Sequence, residues 1–113
     1  GLPMHGGGTP YDPAQYYHYR DGRLHNGLTV VALSLGEGAP GDGGFCCVPG
    51  SHKANLRLPE GFRNPERGQP WLVQPALSRG DLVIFTEALT HGTLSWRAPR
   101  ERRSLLYKYA PAH

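Results

Sequence analysis

Residues 80–92 read GDLVIFTEALTHG, and this stretch decides both the fold and the candidate site. Its Gly-Asp pair predicts a turn, the LVIF run predicts a buried strand, and that strand delivers the histidine that follows, His91, to a site. Arg102 lies eleven residues further along, where another strand is predicted nearby. Imidazole binds divalent metals, and guanidinium holds a carboxylate through two parallel hydrogen bonds. The arrangement therefore indicates a site for a metal-bound organic acid.

The composition favours short strands joined by turns. The 113 residues include 16 glycines and 11 prolines, and 38% of them are hydrophobic. So much glycine and proline is typical of a chain with many turns and argues against a helical bundle. At this length, residues 1–113 are expected to form one domain with a modest core.

Five segments are predicted to be strands, at residues 27–35, 45–48, 82–86, 91–96 and 104–109. The first of them, GLTVVALSL, is almost continuous in apolar and β-branched residues, which is typical of a central strand. Short strands separated by glycine and proline turns indicate an all-β sandwich, barrel or jelly roll. Because an eight-stranded jelly roll needs more than five strands, the chain is expected to be part of such a fold. A long exposed loop is expected at residues 53–75.

Charge and hydropathy argue against two kinds of partner. No run of 18 apolar residues occurs in the sequence, so no membrane-spanning helix is expected. The net charge of +3 has its local source in four arginines, Arg97, Arg100, Arg102 and Arg103. Arginines this close together can contact nucleic acid, but they are more often solvated in a loop, so a nucleic-acid partner is not expected.

Cys46 and Cys47 are adjacent in the second predicted strand. Neighbouring side chains on a strand point to opposite faces, and a disulfide between them would be strained. Both are therefore expected to be reduced thiols, one buried and one facing the other layer. Reduced thiols suit a cytoplasmic protein, and no secretory leader is visible, so a cytoplasmic location is expected.

Two motifs together resemble those of a known family. They are GDGGFCCVPGSHK at residues 41–53 and GDLVIF followed by His91 and Gly92. Through them, residues 28–53 and 80–109 resemble the phytanoyl-CoA dioxygenase (PhyH) family of iron(II)- and 2-oxoglutarate-dependent dioxygenases. The resemblance implies a double-stranded β-helix, the cupin-like jelly roll. It also implies that the chain corresponds to the C-terminal half of a full-length member, so that the β-helix is incomplete.

The resemblance implies a set of site residues and two cofactors, iron(II) and 2-oxoglutarate. His91 corresponds to the distal iron ligand, and His5 best resembles the proximal one. The arginine that binds the far carboxylate of 2-oxoglutarate falls on Arg102, with Arg103 as the alternative if the loop is one residue shorter. Strand alternation allows one of the two to face inward. Thr93 lies where a hydroxyl often assists binding of the co-substrate.

The chain departs from the family at one ligand position. Non-haem iron is held by two histidines and one carboxylate, and a His-x-Asp or His-x-Glu pair usually supplies two of them. This sequence contains no such pair, and Gly7 stands where the family has aspartate. Asp12 and Asp21 are alternative sources of the acid. Related oxygenases that halogenate leave this position to a halide, so an exogenous anion, chloride or a buffer carboxylate, is expected to bind there. Gly7→Asp is expected to tighten metal binding.

Two functions remain open. The first is a dioxygenase that acts on a small organic substrate with iron(II) held by His5 and His91. The second is a non-catalytic or degenerate fragment of the same fold that binds a small acid or a partner chain. A truncated jelly roll leaves strand edges and apolar faces unpaired, which favours a homodimer. Binding of iron together with 2-oxoglutarate discriminates the two functions.

Overall fold

The computed structural model describes residues 1–7 and 12–112. These residues form seven strands: β1 (Tyr17–Arg20), β2 (Arg23–Asn26), β3 (Thr29–Ser34), β4 (Gly44–Cys47), β5 (Leu82–Thr86), β6 (His91–Leu94) and β7 (Ser104–Tyr109). Three short 3-10 helices lie between β4 and β5, at Ser51–Lys53, Glu60–Phe62 and Pro65–Arg67. The described residues contain no α-helix and no helix long and apolar enough to cross a membrane. The all-β prediction is confirmed.

The largest sheet has the strand order β5-β3-β7, and both pairs are antiparallel. β3 lies in the middle, as its almost continuous apolar sequence predicts. β4 and β6 form a second antiparallel pair, and β1 and β2 form a third. The strands predicted at 82–86 and 104–109 have the observed bounds, whereas the strand predicted at 91–96 ends at Leu94.

A small core lies between the three-stranded sheet and the β4-β6 pair. Val30 of β3 and Cys46 of β4 have no exposed surface. Phe45 of β4 packs on Phe85 of β5, with ring centroids 4.9 Å apart, and so joins the two sheets. Cys46 and Cys47 are both free, the first buried and the second half-buried. Their reduced state stays a prediction.

The opposite face of the three-stranded sheet, called here the outer face, is apolar and exposed. Residues directly opposite one another in an antiparallel sheet share a face, and Val31 of β3 lies between Ile84 and Tyr107. The outer-face side chains that are 43% to 64% exposed are Leu82, Ile84, Leu105, Tyr107 and Tyr109. An unpaired apolar face agrees with the expectation for a truncated jelly roll, and the homodimer stays a prediction.

The hairpin formed by β1 and β2 was not among the predicted strands, so the count of five was wrong. Its turn is Asp21-Gly22, and both residues have positive φ, 51° and 75°, as in a type I′ turn. Asp-Gly is a strong hairpin signal, so the sequence did carry the evidence. The strands themselves are polar and largely exposed, with His18 and His25 stacked across the pair at 5.1 Å, and they lack the apolar alternation that marks a strand.

The arginine-rich segment before β7 is largely neutralised by acidic side chains. Three of its arginines form ion pairs: Arg97 with Glu66, Arg100 with Asp42 and Arg103 with Glu101. Guanidinium groups that are already paired are less available to phosphates. The segment therefore gives no support to a nucleic-acid partner.

Candidate metal centre

A single β-bridge brings the two predicted histidines together. The His5 N–H donates to the His91 carbonyl at 2.9 Å, and the His91 N–H donates to the His5 carbonyl at 2.8 Å. Residues paired in this way project their side chains to the same face of the strands. The two imidazoles accordingly lie side by side, with ring centroids 4.3 Å apart.

The N-terminal segment that carries His5 is held along β6. The Leu2 N–H donates to Oγ1 of Thr93 at 2.6 Å, and the Thr93 N–H donates to the Leu2 carbonyl at 3.1 Å. Met4 is 2% exposed, and its N–H donates to the Arg63 carbonyl at 2.8 Å. These bonds fix the position of His5 beside His91, although glycines follow it in the sequence.

Both imidazoles present Nε2 to the site. Nδ1 of His5 lies 2.9 Å from the Pro3 carbonyl, and Nδ1 of His91 lies 2.6 Å from the Leu89 carbonyl. A carbonyl only accepts, so each Nδ1 carries the hydrogen and each Nε2 keeps a free lone pair. A hydrogen bond from the other ring nitrogen is the usual way in which a protein orients a metal-binding histidine.

Burial keeps His91 in the form that binds a metal. The residue is 7% exposed, and this desolvation lowers its pKa below the ordinary value, with the neighbouring His5 and Lys108 adding to the effect. The hydrogen bond to Leu89 and the charge of Glu87 act in the opposite direction. Because the lowering prevails, the imidazole is neutral at neutral pH.

Glu87 is a third candidate metal ligand, and the sequence analysis did not name it. It lies in the turn between β5 and β6, four residues before His91, and it is 5% exposed. One ligand atom from each of His5, Glu87 and His91 lies within 4.8 Å of the other two. Two imidazoles and a carboxylate form the donor set that non-haem iron prefers, so these residues fit a divalent iron ion.

The two acids named from the sequence lie elsewhere. Oδ1 of Asp12 accepts a hydrogen bond from the Ala14 N–H at 2.7 Å, in a local turn. The Asp21 side chain is 86% exposed and pairs with Arg20 at 3.3 Å. Neither joins the histidines, so the suggestion that one of them supplies the carboxylate was wrong. The signal that pointed to Glu87 was its place within the same motif as His91.

Gly7 packs directly against the turn that carries Glu87. Its N–H donates to the Ala88 carbonyl at 3.2 Å. A Cβ added to Gly7 would lie 2.5 Å from the Gln15 carbonyl oxygen and 2.8 Å from Cα of Ala88. Backbone atoms therefore fill the space that a side chain would need, which argues against the expectation that Gly7→Asp tightens metal binding; that expectation stays a prediction.

A cavity of about 180 Å³ opens beside the histidines, between the two sheets. Its polar lining includes His5, Glu87, His91, Thr93, Arg102 and Lys108. Its apolar wall includes Val30, Phe45, Phe85 and Leu106. The cavity therefore combines the candidate metal donors with basic groups suited to an organic acid.

Arg102 lies on the cavity side of the chain. Lys108 of β7 faces the cavity, since its Nζ lies 2.6 Å from Oε1 of Glu87. The pairing of β7 with β3 continues as far as Arg103, and alternate residues of a strand share one face, so Arg102 lies on the same side as Lys108. Arg102 packs over Gly44, where an added Cβ would lie 3.0 Å from its Nε. It forms no ion pair with any residue in 1–7 or 12–112.

Arg103 also borders the cavity, but its guanidinium is engaged. Its Nε and one terminal nitrogen donate to Oε2 of Glu101 at 3.0 and 2.7 Å. The side chain is 69% exposed. Of the two arginines weighed from the sequence, Arg102 is therefore the one with free donors at the cavity.

The two quoted motifs meet at the residue before His91. Oγ of Ser51 donates to the Val48 carbonyl at 2.7 Å and accepts from the Thr90 N–H at 2.8 Å. The Val48 N–H donates to the Thr90 carbonyl at 2.9 Å. The PGSHK turn thus fixes the entry of β6 and, with it, the backbone of His91.

An all-β fold that joins two imidazoles and a carboxylate at one cavity has the ligand set of the non-haem iron proteins. The sequence matches the phytanoyl-CoA dioxygenase (PhyH) family over residues 2–104, and the chain belongs to this family. No curated protein matches the chain.

Three crystal structures of HygX from Streptomyces hygroscopicus are similar to the chain. They hold nickel and 2-oxoglutarate (TM-score 0.83, 31% identity), nickel, 2-oxoglutarate and hygromycin B (0.79, 30%), and iron (0.80, 30%). Each match covers 97% of this chain and 50–52% of the HygX chain, so the chain spans about half the length of these structures. The predicted jelly-roll class is confirmed by this likeness.

Proposed function

We propose that this chain forms the metal- and 2-oxoglutarate-binding part of an iron(II)-dependent dioxygenase that acts on a small organic substrate. The bridge between His5 and His91 carries the proposal, because it sets two free Nε2 atoms beside one cavity. Family membership and the iron- and 2-oxoglutarate-bound HygX structures support it. Residues 1–113 are proposed to correspond to the C-terminal part of the family's β-helix, as one domain.

In this proposal Arg102 binds the far carboxylate of 2-oxoglutarate. The arginine has no ion pair within the described residues, so its nitrogens are free to donate two parallel hydrogen bonds. Arg103 is the alternative, but it would first have to leave Glu101. Oγ1 of Thr93 accepts from the Leu2 N–H, and its own hydrogen remains for a carboxylate oxygen.

Iron(II) and 2-oxoglutarate, when bound, supply the oxidative decarboxylation that activates dioxygen for attack on a C–H bond. The residues of this chain would hold the metal and 2-oxoglutarate in place and limit the access of water to them. Phe85 and Phe45 pack near the His91 ring, with centroids 4.6 and 6.2 Å away, and shield one side of the imidazole. The small volume of the cavity, about 180 Å³, suits a small co-substrate.

The test is a calorimetric titration with Ni(II), a redox-inactive substitute for iron(II), with and without 2-oxoglutarate. Wild type should bind the metal, and 2-oxoglutarate should bind more tightly when the metal is present. His91→Ala should lose metal binding, whereas His25→Ala, an exposed histidine of the hairpin, is the matched control and should keep it. Undiminished binding by His91→Ala would overturn the proposal. Conversion of 2-oxoglutarate to succinate with iron(II) then tests the activity.

A second candidate is a non-catalytic domain of this fold that binds a small acid or dimerises. Gly7 in place of the family's aspartate and the exposed outer face favour it. This candidate predicts that 2-oxoglutarate binds equally well with and without metal and that no succinate forms. The titration above therefore separates the two functions.

We also propose a cytoplasmic location. Cys46 and Cys47 are both free, and paired thiols are the rule in oxidising compartments. Fractionation of cells that express the protein, with the thiols trapped at lysis, tests the location and the redox state together.

A further inference from the structure

We propose that Glu87 is the carboxylate ligand of this metal site, in place of the acid that Gly7 does not provide, and that Lys108 positions it. The inference rests on the proposed function, because it needs a metal ion between His5 and His91. Its starting point is the convergence of three ligand atoms within 4.8 Å of one another.

The two oxygens of Glu87 have different surroundings. Oε1 lies 2.6 Å from Nζ of Lys108, and Oε2 lies 3.9 Å from Nε2 of His91. One oxygen is thus held by the lysine while the other faces Nε2 of His91. A ligating carboxylate is commonly fixed in this way, with its second oxygen bound to an outer partner.

Three groups with the chemistry of metal ligands meet at this point. With hydrogen on each Nδ1, the Nε2 atoms of His5 and His91 offer lone pairs, and the Glu87 side chain offers its oxygens. Ligands of an ion with bonds of about 2.1 Å lie about 3 Å apart, so modest closure of the three groups would complete the site.

The packing at Gly7 explains why the acid would come from the turn between β5 and β6. The Gly7 N–H is bonded to the Ala88 carbonyl, and the next residue back along that turn is Glu87. A side chain at position 7 would meet the backbone of Gln15 and Ala88. The close approach that excludes a carboxylate at Gly7 is the same approach that brings the Glu87 turn beside His5.

An alternative role for Glu87 is a simple ion pair with Lys108. It would account for the contact at Oε1. It would not account for the convergence of ligand atoms from His5, Glu87 and His91, or for the carbonyls that orient Nδ1 of both imidazoles. The metal-ligand role accounts for both.

The experiment uses Co(II), because its visible absorption bands change with the number and type of its ligands. Glu87→Gln should lower Co(II) affinity about tenfold or more and change the spectrum. The matched control is Glu60→Gln, which removes the same charge from a side chain that is 75% exposed and should change neither property. Lys108→Met should keep the wild-type spectrum but bind Co(II) more weakly, since the lysine positions the ligand without binding the metal; wild-type affinity in this variant would remove the positioning role. Glu87→Asp retains the charge on a shorter side chain and should also bind Co(II) more weakly.

Wild-type affinity and spectrum in Glu87→Gln would overturn the inference and leave Glu87 as a partner of Lys108 alone. If Glu87→Gln does not fold, as judged by circular dichroism, wild-type affinity in Glu87→Asp would overturn it instead. Failure of the wild-type protein to bind Co(II), or full binding by His91→Ala, would overturn the proposed function and this inference with it. Weaker Co(II) binding by the Glu87 variants, together with loss of Co(II) binding in His91→Ala, supports both the proposed function and this inference.

Discussion

Nζ of Lys108 lies 2.6 Å from Oε1 of Glu87, across the inner face of the three-stranded sheet. The two residues differ in their surroundings, since the side chain of Lys108 is 53% exposed and that of Glu87 is buried. A carboxylate buried to this extent needs a positive partner, because its desolvation is costly. Lys108 therefore offsets the charge of Glu87 in the metal-free protein while keeping its own contact with water.

Removal of this lysine should destabilise the metal-free fold. We expect Lys108→Met to lower the free energy of unfolding by about 1–3 kcal/mol, less than for a fully buried pair because the lysine is half exposed. Urea denaturation measures the loss, with the exposed Lys53→Met as the control. Saturating Co(II) should reduce the difference in the free energy of unfolding between wild type and Lys108→Met, because a bound cation replaces the lost charge. Equal stability of the two variants would contradict this account of the pair.

Substitution at Gly7 should weaken the protein rather than improve the metal site. A Cβ there would meet the Gln15 carbonyl oxygen at 2.5 Å, so the backbone must shift. We expect Gly7→Ala and Gly7→Asp each to cost about 1–3 kcal/mol of the free energy of unfolding. Gly61→Ala is the control, since an added Cβ at Gly61 has no described atom within 4 Å. Tighter metal binding by Gly7→Asp without loss of stability would contradict this prediction.

The two arginines before β7 can be separated by their effect on 2-oxoglutarate. Arg102→Ala should weaken its binding to the metal-loaded protein by about 1.5–3 kcal/mol, because charge-assisted hydrogen bonds to the carboxylate would be lost. Arg103→Ala should cost less than about 1 kcal/mol, because its exposed guanidinium is already paired with Glu101. Arg102→Lys keeps the positive charge but not the two parallel donors, so its affinity for 2-oxoglutarate should lie between those of Arg102→Ala and Arg103→Ala. If Arg103→Ala binds more weakly than Arg102→Ala, the register is shifted by one residue.

The strands that the sequence predicted well are those whose local pattern agrees with their burial. β3 lies within the apolar run at 27–35, and β5 and β7 have the predicted bounds because turns or polar residues flank them. The hairpin of β1 and β2 is specified by its turn rather than by burial. A type I′ turn at Asp21-Gly22 pairs two strands that are mostly exposed. Hydrophobic periodicity cannot detect such strands, whereas the turn dipeptide can.

The two histidines of the site could be predicted from the sequence, because imidazole is a common metal ligand and each histidine stands in a recognisable motif. His91 and His5 were named from sequence, and the structure brings them to one bridge. Glu87 was quoted in the first motif without a role, because its proximity to His5 depends on a contact between residues 7 and 88. Lys108 lies in an apolar strand, and its part in the site depends on the register of β7 against β3. Contacts between distant segments of this kind are fixed by tertiary packing and leave no local signal.

The two cysteines should be unreactive in the folded protein. Burial raises the pKa of Cys46 from 9.0 to about 11 and also raises the pKa of Cys47. The thiolate is the reactive form, so both thiols should resist iodoacetamide at pH 8 and react fully in urea, as mass spectrometry can measure. Because the folded state retains the Cys46 proton, its stabilising effect is complete below pH 9 and is lost as the pH rises toward 11. Rapid alkylation of native Cys46 would contradict its burial.

The outer face should mediate self-association. Its apolar side chains form cross-strand rows, and Ile84 in the middle is 64% exposed. Exposed apolar rows of this kind are stabilised when a second copy covers them, so we expect the protein to dimerise as its concentration rises. Sedimentation velocity should show a shift from dimer to monomer in Ile84→Lys, a surface change that should alter the free energy of unfolding by no more than about 0.5 kcal/mol. Leu24→Lys is the matched control, because Leu24 is 62% exposed but lies on the hairpin, and it should leave the dimer intact. A wild-type protein that stays monomeric at every concentration, or an Ile84→Lys variant that still dimerises, would show that the outer face is not the interface.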